Sequence, residues 1–290
     1  MPHEELHRLS RKFEIFQKGR SENQLEAAHV FRREHVSAFE AALYNPFICL
    51  ILQGRKEIHI GQRSVSLSPG DAFLVSHDLP VTAKILEASQ EVPYRALVFS
   101  LDLAILRSLY EQVGDAVREE TSASALSATR ADPAYMLPMA RYLALMDATL
   151  DAQVLGPMIA KEIHFRLLMS PIGGMLRNLL SVDSHASRIA RAILRIKSKF
   201  REQLIVTELA EIAGMSQSSF HEHFKSVTGT TPLQYQKDLR LIAARELLMG
   251  GGHSVSSVGF EVGYESPTHF SRDYSRKFGF PPKTHLFGTA

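Results

Sequence analysis

Two stretches of this 290-residue chain set polar side chains at helical spacing opposite a pair of aromatic rings. In residues 217–227, Ser218, His221, Glu222 and Lys225 fall on one helical face and Phe220 and Phe224 on the other. In residues 267–277, Thr268, His269, Arg272 and Arg276 stand opposite Phe270 and Tyr274. Such rows offer the donors and acceptors that meet nucleic-acid base edges. An Arg fork matches the two acceptors of guanine, and a Glu oxygen accepts from the amino group of cytosine.

Other chemistries find less support. His221 and His223 are two apart, so on a helix they point to different sides and cannot share one ion. A cupin-type metal centre needs several His and a carboxylate converging, usually from a His-x-His pair. His35, His59 and His77 each stand alone, and neither a phosphate-binding Gly loop, a nucleophile elbow nor a zinc-spaced pair occurs. No catalytic residue, metal or cofactor is expected, and the chain is not expected to be an enzyme. Cys49, between Ile48 and Leu50, has the surroundings of a small core residue. A redox or electrophile sensor at Cys49 is the sharper alternative.

The elements that must position these faces form a repeat. Residues 207–225 and 254–275 each read as a short helix, a Gly (Gly214, Gly263), a Ser cap (Ser216, Ser266) and a second helix with aromatics four apart. A Gly takes the left-handed conformation that reverses the chain, a Ser hydroxyl caps the next helix, and Pro267 suits a first helical turn. Thr207 and Ser254 are expected to cap the two first helices. Residues 232–249 form a helical pattern of roughly 27 Å, stopped by Gly250, Gly251 and Gly252. Successive major-groove faces on one side of a duplex lie about 34 Å apart, so this helix is a suitable strut between two reading heads.

With those motifs in view, residues 186–286 resemble the DNA-binding domain of the AraC/XylS family of bacterial transcription regulators. The most specific part is Val262-Gly-Tyr-Glu-Ser-Pro-Thr-His-Phe-Ser-Arg272, and the closing Gly279-Phe-Pro-Pro282 agrees. Gly259 departs from the Ala more usual in the family. The resemblance implies base contacts from Ser218, His221, Glu222, Thr268, His269 and Arg272, and phosphate contacts from Lys225, Arg240 and Arg276.

The first half reads differently. An amphipathic helix is expected over 3–19, with Leu6, Leu9, Phe13 and Phe16 on one stripe. Short strands follow from about Val30, including the apolar run 47–52, a hairpin turning at Gly61, and strands near 72–76, 82–86 and 96–99. Residues 45–94 resemble the cupin-like N-terminal domain of one subgroup of these regulators, which implies a regulatory, effector-binding role over roughly 25–180. Tyr44, Phe47, Arg55, Lys56 and His77 are the candidate effector residues. Helices are expected at 101–113, 133–150 and 155–169, with a looser Ser/Thr/Ala-rich stretch at 119–130. In the family such helices commonly form a dimer interface; capping the barrel is the plainer reading.

Composition agrees with two globular domains: 45% apolar, 22% charged, one cysteine and no apolar run long enough to span a membrane. The polar, acidic N-terminus does not read as a secretory leader. From Ser184 onward 14 Lys/Arg face 9 Asp/Glu, a net +5, whereas the rest carries −3. A basic half suits a polyanionic partner. The expected fold is therefore α+β: a cupin-like small β-barrel with flanking helices over 1–180, a short linker at 180–186, then an all-α tandem helix-turn-helix domain over 187–290. The expected protein is a cytoplasmic, effector-responsive regulator. Its expected partners are double-stranded DNA, a small-molecule effector, RNA polymerase and a second copy through 101–169. A cupin-type enzyme with a DNA-binding appendage is the alternative from another class.

Overall fold

The structure is a computed structural model that describes residues 2–19, 25–113 and 124–286. After α1 (Pro2–Gly19) come eight strands: β1 (Ala28–Arg33), β2 (Glu40–Tyr44), β3 (Phe47–Gln53), β4 (Arg55–Ile60), β5 (Arg63–Leu67), β6 (Asp71–Val75), β7 (Leu79–Glu87) and β8 (Tyr94–Ser100). Next are α2 (Leu103–Val113), β9 (Leu126–Arg130), α3 (Pro133–Ala144), α4 (Thr149–Met169) and α5 (Gly174–Leu180). All strand pairs are antiparallel, in a five-stranded sheet of order β1-β8-β3-β6-β9 and a four-stranded sheet of order β2-β7-β4-β5. The expected small cupin-like barrel is present as two facing sheets of jelly-roll type. Chain direction breaks at Asn45-Pro46, which sends β2 and β3 to different sheets.

Strand β3 explains its own continuous apolar run. Ile48, Leu50 and Leu52 pack under α1 to α5, while Cys49 and Ile51 face the space between the sheets. A strand covered on both faces has no reason to alternate.

Two expectations shift. Of the stretch 119–130 expected to be loose, 119–123 lie outside the described residues and 126–130 form β9, paired along β6 from Asp71↔Arg130 to Val75↔Leu126. Only Leu126 of that strand is buried, so its pairing comes from the open edge of β6 and not from its own pattern. The break between the two long helices falls at Leu145–Asp147, a 3-10 turn. Helix α4 then runs from Thr149 to Met169 without a break at Pro157.

The second half is helical: α6 (His185–Ser198), α7 (Val206–Ile212), α8 (Gln217–Thr228), α9 (Pro232–Gly250), α10 (Val255–Glu261), α11 (Pro267–Phe278) and α12 (Lys283–Leu286). Ser184, Ser216, Thr231, Ser254 and Ser266 each accept a backbone N–H as helix caps. Thr207 does not: Ile205 holds the cap position of α7 without a side-chain bond, and Thr207 lies exposed in its first turn. Gly214 and Gly263 take the left-handed turns expected of them. At Gly259 an added Cβ would sit 3.0 Å from Cδ1 of Phe270. The missing methyl lets α10 and α11 approach closely.

The helical half is not hung on a free tether. Phe220, Phe224 and Ile189 share one buried cluster with the inter-sheet residues Ile58, Val81 and Phe73. The second unit has its own core of Leu241, Val258, Phe270 and Tyr274, which reaches Ala41 of β2. Across the seam the Tyr235 hydroxyl donates to the Asp78 carbonyl at 2.6 Å, and Lys197 Nζ meets the Asp78 carboxylate at 2.7 Å. The β4–β5 turn closes it: a Cβ on Gly61 (φ +56°) would lie 2.2 Å from the carbonyl oxygen of Gly229, the left-handed cap of α8.

Gly61→Ala is therefore expected to lower stability by more than the ~1–2 kcal/mol of left-handed backbone alone. Gly279→Ala, also left-handed but with nothing near its Cβ site, supplies that reference. Urea unfolding of the two variants, with equal losses, would show that the turn does not bear on α8.

Candidate nucleic-acid interface and effector cavity

Burial in α8 and α11 follows the expected division. Phe220, Phe224, Phe270 and Tyr274 are fully buried, and Ser218, His221, Glu222, Lys225, Thr268, His269, Arg272 and Arg276 are exposed. Each recognition-type helix is thus pinned along its aromatic stripe, which leaves a polar row outward. Lys225 and Arg272 make no ion pair with any described residue. His223 is not part of that row. It stacks on His185 at 3.7 Å between ring centres, and its proton affinity is lowered by burial and by His185.

The three residues expected at phosphates differ. Arg276 is tethered to Asp273 at 2.9 Å, and Asp273 also holds Lys237 at 2.9 Å. Half-buried Arg240 is engaged by backbone carbonyls. Its Nε donates to Phe200 O at 2.7 Å, and its terminal nitrogens donate to Gly263 O, Arg201 O and Glu202 O at 2.9, 3.2 and 2.7 Å. Four carbonyls leave that guanidinium little for a phosphate. Its role here is to clamp the turn before α7 to the turn of the second unit. No sequence pattern marks this, because the partners are backbone atoms far apart in the chain. Helix α9 has 19 residues, roughly 28 Å at 1.5 Å each.

Between the sheets lies a cavity of about 340 Å³. Of the five effector candidates it gathers Tyr44, Phe47 and Lys56. Arg55 instead pairs with Glu87 at 3.2 Å on an exposed edge. His77 is buried at the seam, with Nδ1 at 2.8 Å from Ser76 Oγ and Nε2 at 3.5 Å from Ala186 O. Sequence reasoning missed Phe31, Phe73 and Tyr94, which also line it. The signal was strand parity: Tyr94, Ala96 and Val98 of β8 all face inward.

Lys56 Nζ lies over three rings, 5.6 Å from Phe31, 5.2 Å from Tyr44 and 5.8 Å from Phe73. Burial pushes the Cys49 thiol in the cavity wall up to about 12, with Lys56 opposing weakly. It is a neutral thiol at physiological pH, which disfavours the nucleophilic sensor. Burial also holds the Tyr94 hydroxyl protonated well above its ordinary range. Among the described residues no three His, Cys, Asp or Glu side chains gather as a metal-ligand set, and no helix is long and apolar enough to cross a membrane.

A family model for the N-terminus of AraC-type transcriptional regulators matches residues 24–175, and a helix-turn-helix model matches 209–286. The transcriptional activator RhaS of Salmonella heidelberg is 26% identical over 157 residues, 53% of this chain and 55% of its own. RhaS of Escherichia fergusonii is 30% identical over 132 residues, 45% and 47% of the two chains. The chain thus spans about half the length of the curated relatives it matches. Among solved structures, apo ToxT of Vibrio cholerae aligns with a TM-score of 0.55 at 14% identity, over 90% of this chain and 97% of that one. ToxT with an unsaturated fatty acid bound aligns at 0.54 and 14%, over 90% and 94%. Likeness at that identity shows a common fold across both halves.

The seam has a pH signature. Burial depresses His77 from 6.5 to about 4, so the unfolded chain binds a proton there that the folded chain refuses. Its contribution is complete above pH 6.5 and is lost as pH falls toward 4, at about 1.4 kcal/mol per pH unit and about 3 kcal/mol in all. His77→Gln is expected to flatten the fall of urea-unfolding free energy between pH 7 and 4.5, leaving the smaller slope due to groups such as buried His164. An unchanged slope would remove His77 as its source.

Proposed function

The chain belongs to the AraC-type transcriptional regulators, and from that premise we infer that it is a sequence-specific DNA-binding regulator whose first half senses a small molecule. The observation that carries this reading is the pair of outward polar rows on α8 and α11, each pinned by buried aromatics and joined by one continuous strut. Residues 1–180 serve as the regulatory domain and 187–290 as the DNA-binding domain. The two rows enter successive major grooves, with any shortfall between the strut and the 34 Å repeat taken up by tilt or DNA bending.

In this reading Ser218, His221, Glu222, Thr268, His269 and Arg272 meet base edges, while Lys225 and Arg276 serve phosphates. Arg276 must first exchange Asp273 for phosphate. The effector enters the inter-sheet cavity, and β4 links the two functions: Lys56 lies in the cavity wall, and Ile60-Gly61 at the other end abuts the cap of α8. A ligand that shifts β4 therefore alters the seat of the first reading helix. Activation proceeds through contact with RNA polymerase in the cytoplasm. A second copy docks through 101–169, where Leu150, Val154 and Met158 form an exposed stripe along α4.

The test is binding of the purified protein to its own upstream intergenic DNA across salt concentrations, against scrambled competitor. Arg272→Ala is expected to cost about 1–3 kcal/mol at one base pair and to flatten preference there. Lys225→Ala should weaken all sequences alike and reduce the salt slope by about one. Arg240→Ala should lower the unfolding temperature and leave the salt slope unchanged where the protein stays folded. Uniform loss in both Arg272→Ala and Lys225→Ala would remove Arg272 as a base reader.

A further inference from the structure

Two polar groups in the inter-sheet cavity lack the partner their chemistry calls for among the described residues. Tyr94 is fully buried, lines the cavity, and its hydroxyl has no hydrogen-bond partner. A buried hydroxyl left unpaired is costly, and native structures avoid it unless something else supplies the acceptor. Lys56 is the second. Its ammonium lies over the rings of Phe31, Tyr44 and Phe73 and has no carboxylate partner among the described residues. The other basic groups at the cavity are already engaged or peripheral: Lys84 pairs with Glu57 at 3.1 Å, and exposed Arg33 stacks on Phe31 at 4.3 Å. Glu40 at the rim is exposed.

The rest of the lining restricts what could satisfy these two groups. Phe31, Phe47, Phe73, Ala96 and Val98 are apolar. A sugar or other polyol would leave most of its hydroxyls unpaired against such walls. A phosphate dianion would need more than one unneutralised cation at depth to offset its desolvation. A hydrocarbon would strand both Tyr94 and Lys56. A single negative charge on an apolar body meets each condition, and the volume is at the small end of ligand sites.

We propose that this cavity binds a small apolar carboxylic acid as its anion, with the carboxylate on Lys56, the body among the aromatic rings and a ligand oxygen accepting the Tyr94 hydroxyl. This rests on the sensing role proposed for the first half and names the ligand class of that site. Cys49, held as a thiol, lines the wall without reacting, so binding is reversible.

The experiment is calorimetric titration of the full chain, without DNA, with 2-naphthoate and octanoate and with their neutral partners 2-naphthamide and octanamide. At least one acid is expected to bind ten-fold or more tighter than its amide. Lys56→Met should abolish that preference and Lys56→Arg should restore much of it, with thermal melts confirming that both variants fold. Tyr94→Phe should weaken the acid several-fold while the ligand-free variant melts at the same or a higher temperature. A purely structural tyrosine would show the reverse: a lower melting temperature and unchanged affinity. Equal affinity for acid and amide, an acid preference that survives Lys56→Met, or no saturable binding of any probe at millimolar concentration would overturn the proposal. DNA retention is measured separately. Specific DNA binding with no acid binding defeats the ligand assignment alone, and acid binding without specific DNA binding defeats the regulator reading alone.

Discussion

Asp78 is the residue on which both halves close. Its carbonyl takes the Tyr235 hydroxyl from α9, its carboxylate takes Lys197 from α6, and its neighbour His77 reaches the first turn of α6. The tyrosine is buried, so its bond to a carbonyl is made out of water, where losing the acceptor would be costly. With that bond in place, the core between the sheets and the core of the first helix-turn-helix unit become one buried cluster. Among the described residues the two halves therefore meet through packed side chains and not only through the chain that joins them. Whatever strains the sheets reaches α8 through packed atoms.

The second unit is held more lightly. Its cluster meets the strands chiefly at Ala41, and its register to the first unit depends on α9 and on the Arg240 clamp. A guanidinium can bond several carbonyls in one plane, which a lysine cannot. One side chain thereby fixes two turns from different units. The pair of helices is held firmly at its centre and presents polar side chains at its outer edges.

The five-stranded sheet has helices on one face and the facing sheet on the other, and this accounts for the cavity. Side chains alternate strictly along β3 and β8, so the inner positions include Cys49, Tyr94, Ala96 and Val98 while the outer ones feed the helical layer. Cys49, Ala96 and Val98 at inner positions leave room, and aromatics from β1, β2, β3, β6 and β8 wall it. Space and chemistry at the site thus come from pleat geometry acting on an ordinary apolar sequence.

The tandem units were legible in the chain because their information is local: a cap, a left-handed Gly and aromatics one helical turn apart act within a few residues of each other. The strands near the cavity were legible for the same reason, through runs and turns. Thr207 misled, since a hydroxyl near a helix start says nothing about which φ/ψ the preceding residue adopts. Strand β9 was hidden because a Ser/Thr/Ala-rich segment becomes a strand only when a neighbour's edge is open beside it. Arg240 looked like a surface cation and is a brace, and His77 looked like a pocket residue and is part of the seam. Those assignments depend on which distant backbone atoms come within hydrogen-bonding reach. Local sequence determined most of the elements and the faces they present; only the packing of sheet on sheet and helix on sheet formed β9 and decided which charges stayed free to meet a partner.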